Sequence, residues 1–235
     1  MSEWAQKRFW KQVDVAATEG GFVITLDGRQ VKTPAKALLC VPTRAMADAV
    51  AAEWDAQGES VDPLSMPTTR SANAAIDKVS HQHGEVSDML AEYGDSDLLC
   101  YRAETPAELV ARQAQLWDPA LAWAEESLGV RLAPRSGLLH VAQDPDDVAK
   151  LRGLVHEMTA FQLAAFHDLV GMSGSLILGF AAARGWRPAD EIWALSRLDE
   201  QWQEEQWGRD DEAHATAELK REAFMHAKRF YDFSK

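Results

Sequence analysis

The chain reads as an α+β protein: a small β-rich N-terminal domain followed by a larger, mainly α-helical C-terminal domain. Three observations predict this. Gly21-Phe22-Val23-Ile24-Thr25-Leu26 and Arg29-Gln30-Val31-Lys32-Thr33 are β-rich runs separated only by Asp27-Gly28, a two-residue hairpin signal because glycine accepts positive φ without a Cβ clash. From Pro42 onward the hydrophobic period changes, with Met46, Val50 and Trp54 spaced four apart, as on one face of a helix. From about Ser71 to the last residue the pattern stays helical, with no internal repeat. The expected division is 1–70, β-rich with one helix, and 71–235, helical.

Further elements follow in order. Phe9 to Val15 and Ala37 to Val41 supply two more strands. Thr43 is the expected N-cap of the first helix, and Gly58 is placed to stop it. Pro63 and Pro67 mark an irregular connection. Asp118-Pro119 ends one helix and opens another, with proline in the first turn. Gly129 to Val141 holds an extended segment. Asp144 to Gly171 carries one or two helices, and Leu176 to Ala183 is the most apolar one. Gly185 to Pro188 breaks the chain, and Leu219, Ala223 and Phe230 mark a last amphipathic helix.

The 235 residues are 46% hydrophobic and 26% charged, an ordinary globular balance with material for a core. The formal net charge is −13, which repels a phosphate backbone and argues against nucleic acid as a partner. Cys40 and Cys100 stand alone in apolar runs and are expected to be buried free thiols of a reducing compartment. The chain opens Met1-Ser2-Glu3-Trp4 without an apolar signal segment. The longest uncharged stretch, Leu169 to Ala183, has fifteen residues, short of the roughly 20 a membrane span needs. No membrane insertion is expected, and the chain is expected to be a monomer.

Motifs for catalysis are absent or incomplete. Gly171-Met172-Ser173-Gly174-Ser175 approaches a nucleophile elbow, but it ends in serine and no strand precedes it. No phosphate-binding glycine loop is present. His81 and His83 diverge by about 200° on a helix and do not pair as metal ligands. Tyr93-Gly94-Asp95-Ser96-Asp97 misplaces the glycine and distal glutamate of a calcium loop; Asp97 instead reads as a cap. No metal and no cofactor are expected.

One stretch stands out. Ser196 to Glu212, "SRLDEQWQEEQWGRDDE", packs seven carboxylates and two tryptophans into seventeen residues. If Glu191 to Gly208 is one helix, Leu195, Leu198 and Trp202 fall on one side, a core stripe. Trp193, Glu200, Glu204 and Trp207 fall on the other. Unpaired glutamates are costly to bury, and exposed tryptophans are unusual, so this second face suits a protein contact in which aromatics anchor and charges steer. The competing reading folds Trp207 under the next helix and leaves the glutamates solvated.

Six segments resemble, in the same order, one family: "RFWKQV" (Arg8 to Val13), "LDGRQVKTPAK" (Leu26 to Lys36), "VPTRAMADAVAAEWDAQ" (Val41 to Gln57), "DLLCYR" (Asp97 to Arg102), "WDPALAWAE" (Trp117 to Glu125) and "SRLDEQWQEEQWG" (Ser196 to Gly208). The family is the assembly chaperones for the α subunit of the ATP synthase catalytic head, called ATP synthase complex assembly factor 2 in mitochondria. The resemblance implies a non-enzymatic chaperone that holds the free α subunit, masks the interface α later shares with β, and leaves the finished enzyme. It places a functionally important acidic residue shortly after a Trp-Gly pair, which here is Glu212 after Trp207-Gly208. The mitochondrial pattern continues Trp-Ala-His-Asp, where this chain has Ala213-His214-Ala215. The expected partner-binding residues are therefore Glu212, which the resemblance implies, and Trp207, Glu204, Glu200 and Trp193, which the helical face supplies. The implied location is the bacterial cytoplasm, or the mitochondrial matrix for a processed eukaryotic chain. The alternative function is a small-molecule hydrolase built on Asp199, Glu200 and Glu212.

Overall fold

The structure, a computed structural model, describes residues 7–137 and 139–235. These form two compact units. The first takes the described part of Met1–His83 together with Thr159–Ala165 and Arg229–Lys235. The second takes Gly84–Met158 and Phe166–Lys228. The expected division at residue 70 falls inside a helix of the first unit, and two short late segments join that unit.

The first unit is organised around an antiparallel sheet. Strands β1 (Val13–Thr18) and β2 (Gly21–Leu26) pair in the register Val13 to Leu26 through Thr18 to Gly21. Asp27 and Gly28 both have positive φ, 49° and 79°, as a type I′ turn requires, and β2 runs on into β3 (Arg29–Gln30). The short β4 (Cys40–Val41) pairs with the other end of β2. The expected strand near residue 9 begins only at Val13. Here Lys11 and Gln12 donate their amides to the Asp27 carboxylate instead of to a ladder, which lowers the Asp27 pKa. As the central strand, β2 buries Val23, Ile24 and Leu26.

Helix α1 (Arg44–Asp55) lies against β1 and β2 and buries Met46, Ala47 and Val50 completely. Thr43 caps it as expected, accepting the Met46 amide at 3.2 Å, and its hydroxyl donates to the carbonyl of Phe233. The helix stops at Asp55, before Gly58. Trp54 meets Trp10 edge-on at 5.3 Å, and the Arg8 guanidinium lies over Trp10 while donating to the Asp55 carbonyl. Glu53 accepts the amides of Thr68 and Thr69 at 2.6 and 2.7 Å. Its carboxylate thereby caps helix α2 (Pro67–Ala74) where the helix's own N–H groups have no internal partner.

The second unit is helical apart from β5 (Tyr101–Arg102) and β6 (Arg135–Ser136), a parallel pair that supplies the extended segment expected after Gly129. Helix α3 (His83–Ala91) leads into it. Helix α4 (Ala107–Leu128) runs unbroken through Pro119, against the expectation of two helices. Trp117 and Ala120, on either side of the proline, are fully buried. Packing of the whole helix offsets the one backbone hydrogen bond the proline removes. Asp118 is then no cap; it takes an ion pair from Arg102 at 2.8 Å.

Helices α5 (Pro145–His156) and α6 (Ala160–Ser173) resolve the long region into two. Helix α7 (Leu176–Arg184) is the apolar one, with every residue from Leu176 to Ala183 buried. Gly179 sits so close to α6 that an added Cβ would lie 2.6 Å from a Val170 methyl. Asp97, fully buried, accepts the Leu99 and Ile177 amides and the Ser175 hydroxyl. One carboxylate therefore caps both the turn after it and the start of α7, and burial outweighs these donors in raising its pKa. Ser173 and Ser175 are spent locally: Ser173 donates to the Leu169 carbonyl and Ser175 caps α7, so the elbow-like motif is a helix junction. Cys100 is a buried free thiol and Cys40 a half-buried one.

Helices α8 (Ala189–Ser196), α9 (Leu198–Trp207) and α10 (Asp211–Phe233) complete the chain. Leu219, expected on the buried stripe of α10, is 69% exposed; Phe224, Ala227, Phe230 and Tyr231 are the buried positions. Among the described residues no helix is long and apolar enough to cross a membrane.

Candidate functional site

The aromatic-acidic stretch occupies α8, α9 and the start of α10, all within the second unit. Its geometry differs from one continuous helix. Arg197 leaves the helical path (φ −106°, ψ 13°) and separates α8 from α9, so residues before and after it no longer share a face. Trp193 is the casualty. It is only 6% exposed, with its ring 5.6 Å from Phe224 of α10. It does not join Trp207 on an outer surface, as expected from helical spacing, but fastens α8 to α10.

Past the break the polarity inverts. Leu198 is the only fully buried residue of α9. Trp207, at its end, is 79% exposed, which removes the reading that folds it under the next helix. Glu200 accepts from Arg197 at 2.6 Å, and that guanidinium also approaches the Trp193 ring. Glu205 takes a two-pronged ion pair from Arg112 of α4, 2.6 and 2.9 Å. This pair holds the Glu205 carboxyl below its usual range and raises Arg112. Glu204, half-buried, has no ion pair among the described residues.

Gly208 (φ 90°) turns the chain towards α10. There Asp210 accepts the amides of Glu212 and Ala213, 2.9 and 3.1 Å, as the N-cap. Asp211 and Glu212 fill the first turn, where the helix dipole favours negative charge. Glu212 is exposed and lines a shallow depression of about 380 Å³ with Arg197, Thr216 and Lys220.

A larger groove, about 610 Å³, runs along the other side of α9. Asp199, Trp202, Gln203, Gln206 and Trp207 form one wall, and Leu98 with Tyr101 to Pro106 form the other. Leu109 and Gln113 of α4 also line it. Gln113 is buried and works both ways, accepting the Ala103 amide and donating to Asp199, each at 2.8 Å. Arg102 stacks beside Trp117. Helical spacing does not reveal this second wall; the polar Gln113 inside helix α4 is its one local signal.

The three carboxylates proposed for hydrolysis do not converge. Asp199 is tied to Gln113 at the groove, Glu200 to Arg197, and Glu212 lines the separate depression. A carboxylate pair must flank one reacting bond. Among the described residues there is also no group of histidine, cysteine and carboxylate side chains placed to hold a metal. An outward tryptophan, an amide-lined groove and dense negative charge are the features of a protein-contact surface and not of a catalytic site.

Comparison with known proteins gives that class a family. Residues 7–125 match the model of the ATP12 chaperone protein. The mitochondrial protein atp12 of Schizosaccharomyces pombe is 30% identical over 220 residues, covering 88% of this chain and 76% of the yeast protein. The crystal structure of Atp12 from Paracoccus denitrificans superposes with a TM-score of 0.95 at 46% identity, covering 97% of this chain and 98% of that one. The Atu1473 protein of Agrobacterium tumefaciens superposes with a TM-score of 0.92 at 42% identity, covering 97% and 86%. The chain therefore belongs to the ATP12 chaperone family, whose members serve ATP synthase assembly and are not enzymes.

Proposed function

We propose that this chain binds the free α subunit of the ATP synthase catalytic head and covers its subunit interface until β takes its place. An unassembled subunit exposes apolar area that invites aggregation. A holdase needs an aromatic anchor to cover it, charge to keep the complex soluble, and no chemistry. The observation that carries the reading is Trp207, exposed at the end of α9 amid carboxylates. Glu204 and Glu212 belong to the same contact surface, with Glu200 held beside them by Arg197. Trp193 contributes from beneath, by fixing α8. The chaperone acts as a monomer in the cytoplasm of a bacterial cell.

Co-expression with a lone α subunit tests this. The chain keeps α soluble and co-purifies with it one to one, without nucleotide. Glu212→Lys puts a positive charge in the first turn of α10 and lowers the melting temperature by no more than about 4 °C, since the side chain is exposed, but abolishes co-purification. An α subunit equally soluble without the chaperone, or captured equally by Glu212→Lys, would refute the function or the residue respectively.

A further inference from the structure

The groove on α9 has a construction that a flat masking surface does not need. Asp199, Trp202, Gln203 and Gln206 line it at positions i, i+3, i+4 and i+7, a single helical face. A helix normally turns its aromatic face to a core, yet here that face looks into open space and Trp202 is only half-buried. Arg112 supports Trp202 from α4, with the guanidinium 5.9 Å from the ring centroid while paired to Glu205. Gln203 and Gln206 are exposed, and their side-chain amides make no hydrogen bond among the described residues. A glutamine amide both donates and accepts, so two of them one turn apart match the alternating N–H and C=O groups of an extended peptide. The facing wall begins with β5 (Tyr101–Arg102) and continues to Pro106 without helix.

Charge selects the occupant. Residues 196–212 carry seven carboxylates against two arginines, net −5, within a chain of net charge −13. Inside the groove, Arg102 is neutralised by Asp118, whereas Glu104 and Asp199 remain as acidic lining.

We propose that this groove seats one extended segment of the client subunit, inserting a bulky apolar side chain beside Trp202 and Trp207 and flanked by lysine or arginine. The proposal rests on the reading of the chain as a chaperone for α. It adds that recognition is of a defined basic-apolar segment in the groove, with the exposed acidic corner as its rim.

The test uses the purified full chain and overlapping fifteen-residue peptides covering the α subunit, read by fluorescence anisotropy, together with capture of intact α. Binding is expected to concentrate in peptides holding a large apolar residue within three positions of a lysine or arginine. It should weaken as salt rises from 50 to 500 mM, because exposed charges are screened. The double variant Gln203→Lys, Gln206→Lys changes only exposed side chains. It should retain the wild-type melting temperature, lose at least ten-fold in peptide affinity and lose intact α in parallel. The control Glu218→Lys, elsewhere on α10, should bind as wild type. Intact α captured equally by wild type and the double variant overturns the groove and leaves the chaperone reading standing. Failure of wild type to capture α overturns both. Peptides bound without regard to basic residues overturn the charge selection. Concentration-dependent self-association of the wild type, abolished in the double variant, makes the occupant a second copy and likewise refutes the proposal.

Discussion

The two tryptophans of the aromatic-acidic stretch should separate stability from binding. A tryptophan side chain can bury about 150–250 Å², worth roughly 25 cal/mol per Å². Trp193, 6% exposed against Phe224, realises nearly all of that, about 5 kcal/mol as an upper bound. Removing so large a buried aromatic typically costs about 3–5 kcal/mol. Trp207, 79% exposed, realises about a fifth, roughly 1 kcal/mol or less by the same conversion. For a chain of this size each kcal/mol moves the melting temperature by about 2–4 °C. Trp193→Ala should therefore melt about 6–20 °C lower than wild type, and Trp207→Ala no more than about 4 °C lower. Capture of α should reverse the order: as an anchor, Trp207 should cost about 2 kcal/mol on truncation, roughly thirty-fold in affinity. Thermal unfolding by circular dichroism, and competition of each variant with differently tagged wild type for co-expressed α below both melting transitions, measure the two quantities. Equal melting shifts, or a capture defect confined to Trp193→Ala, would show that exposure does not mark the contact surface.

Three further outcomes follow from the packing. Gly179→Ala drives a methyl against Val170 and Phe166 and should cost about 1–3 kcal/mol, measured by urea denaturation; a neutral or stabilising result would mean α6 and α7 are less tightly packed. Asp97 has a raised native pKa, so the native state holds its proton more firmly than the unfolded chain does. As pH rises from about 3.9 through the raised native value, wild type should lose stability relative to Asp97→Asn, which cannot ionise there; a gap unchanged between pH 4 and pH 8 would contradict this. Cys100 is buried and its thiol is pushed up to about 12, so a thiol reagent at pH 8 should label the native chain at Cys40 and spare Cys100 until denaturant is added.

The features legible in the sequence are those decided within a few residues. Asp27-Gly28 announces its turn because both residues need positive φ. Thr43, Asp97 and Asp144 announce helix starts because each bonds an amide two or three positions on. What could not be read is settled by distant partners. Pro119 stays inside a helix because Trp117 and Ala120 are buried by other elements. No proline or glycine marks the break at Arg197, and with it went the correct side for Trp193. Helical spacing and the neighbouring charge leave Trp207 either outward or under the next helix, and its 79% exposure decides for outward. The groove's second wall was invisible because Tyr101 to Pro106 and α9 lie some ninety residues apart in the chain.

The first unit is not contiguous in the chain. It also includes residues 159–165 and 229–235, and Phe233 accepts a hydrogen bond from the hydroxyl of Thr43, the N-cap of α1. A ribosome delivers the strands long before residues 229–235, so the first unit gains its full set of contacts only after the second unit has been synthesised. Deleting residues 229–235 should release the cap of α1, more than 180 positions upstream, from its Phe233 partner.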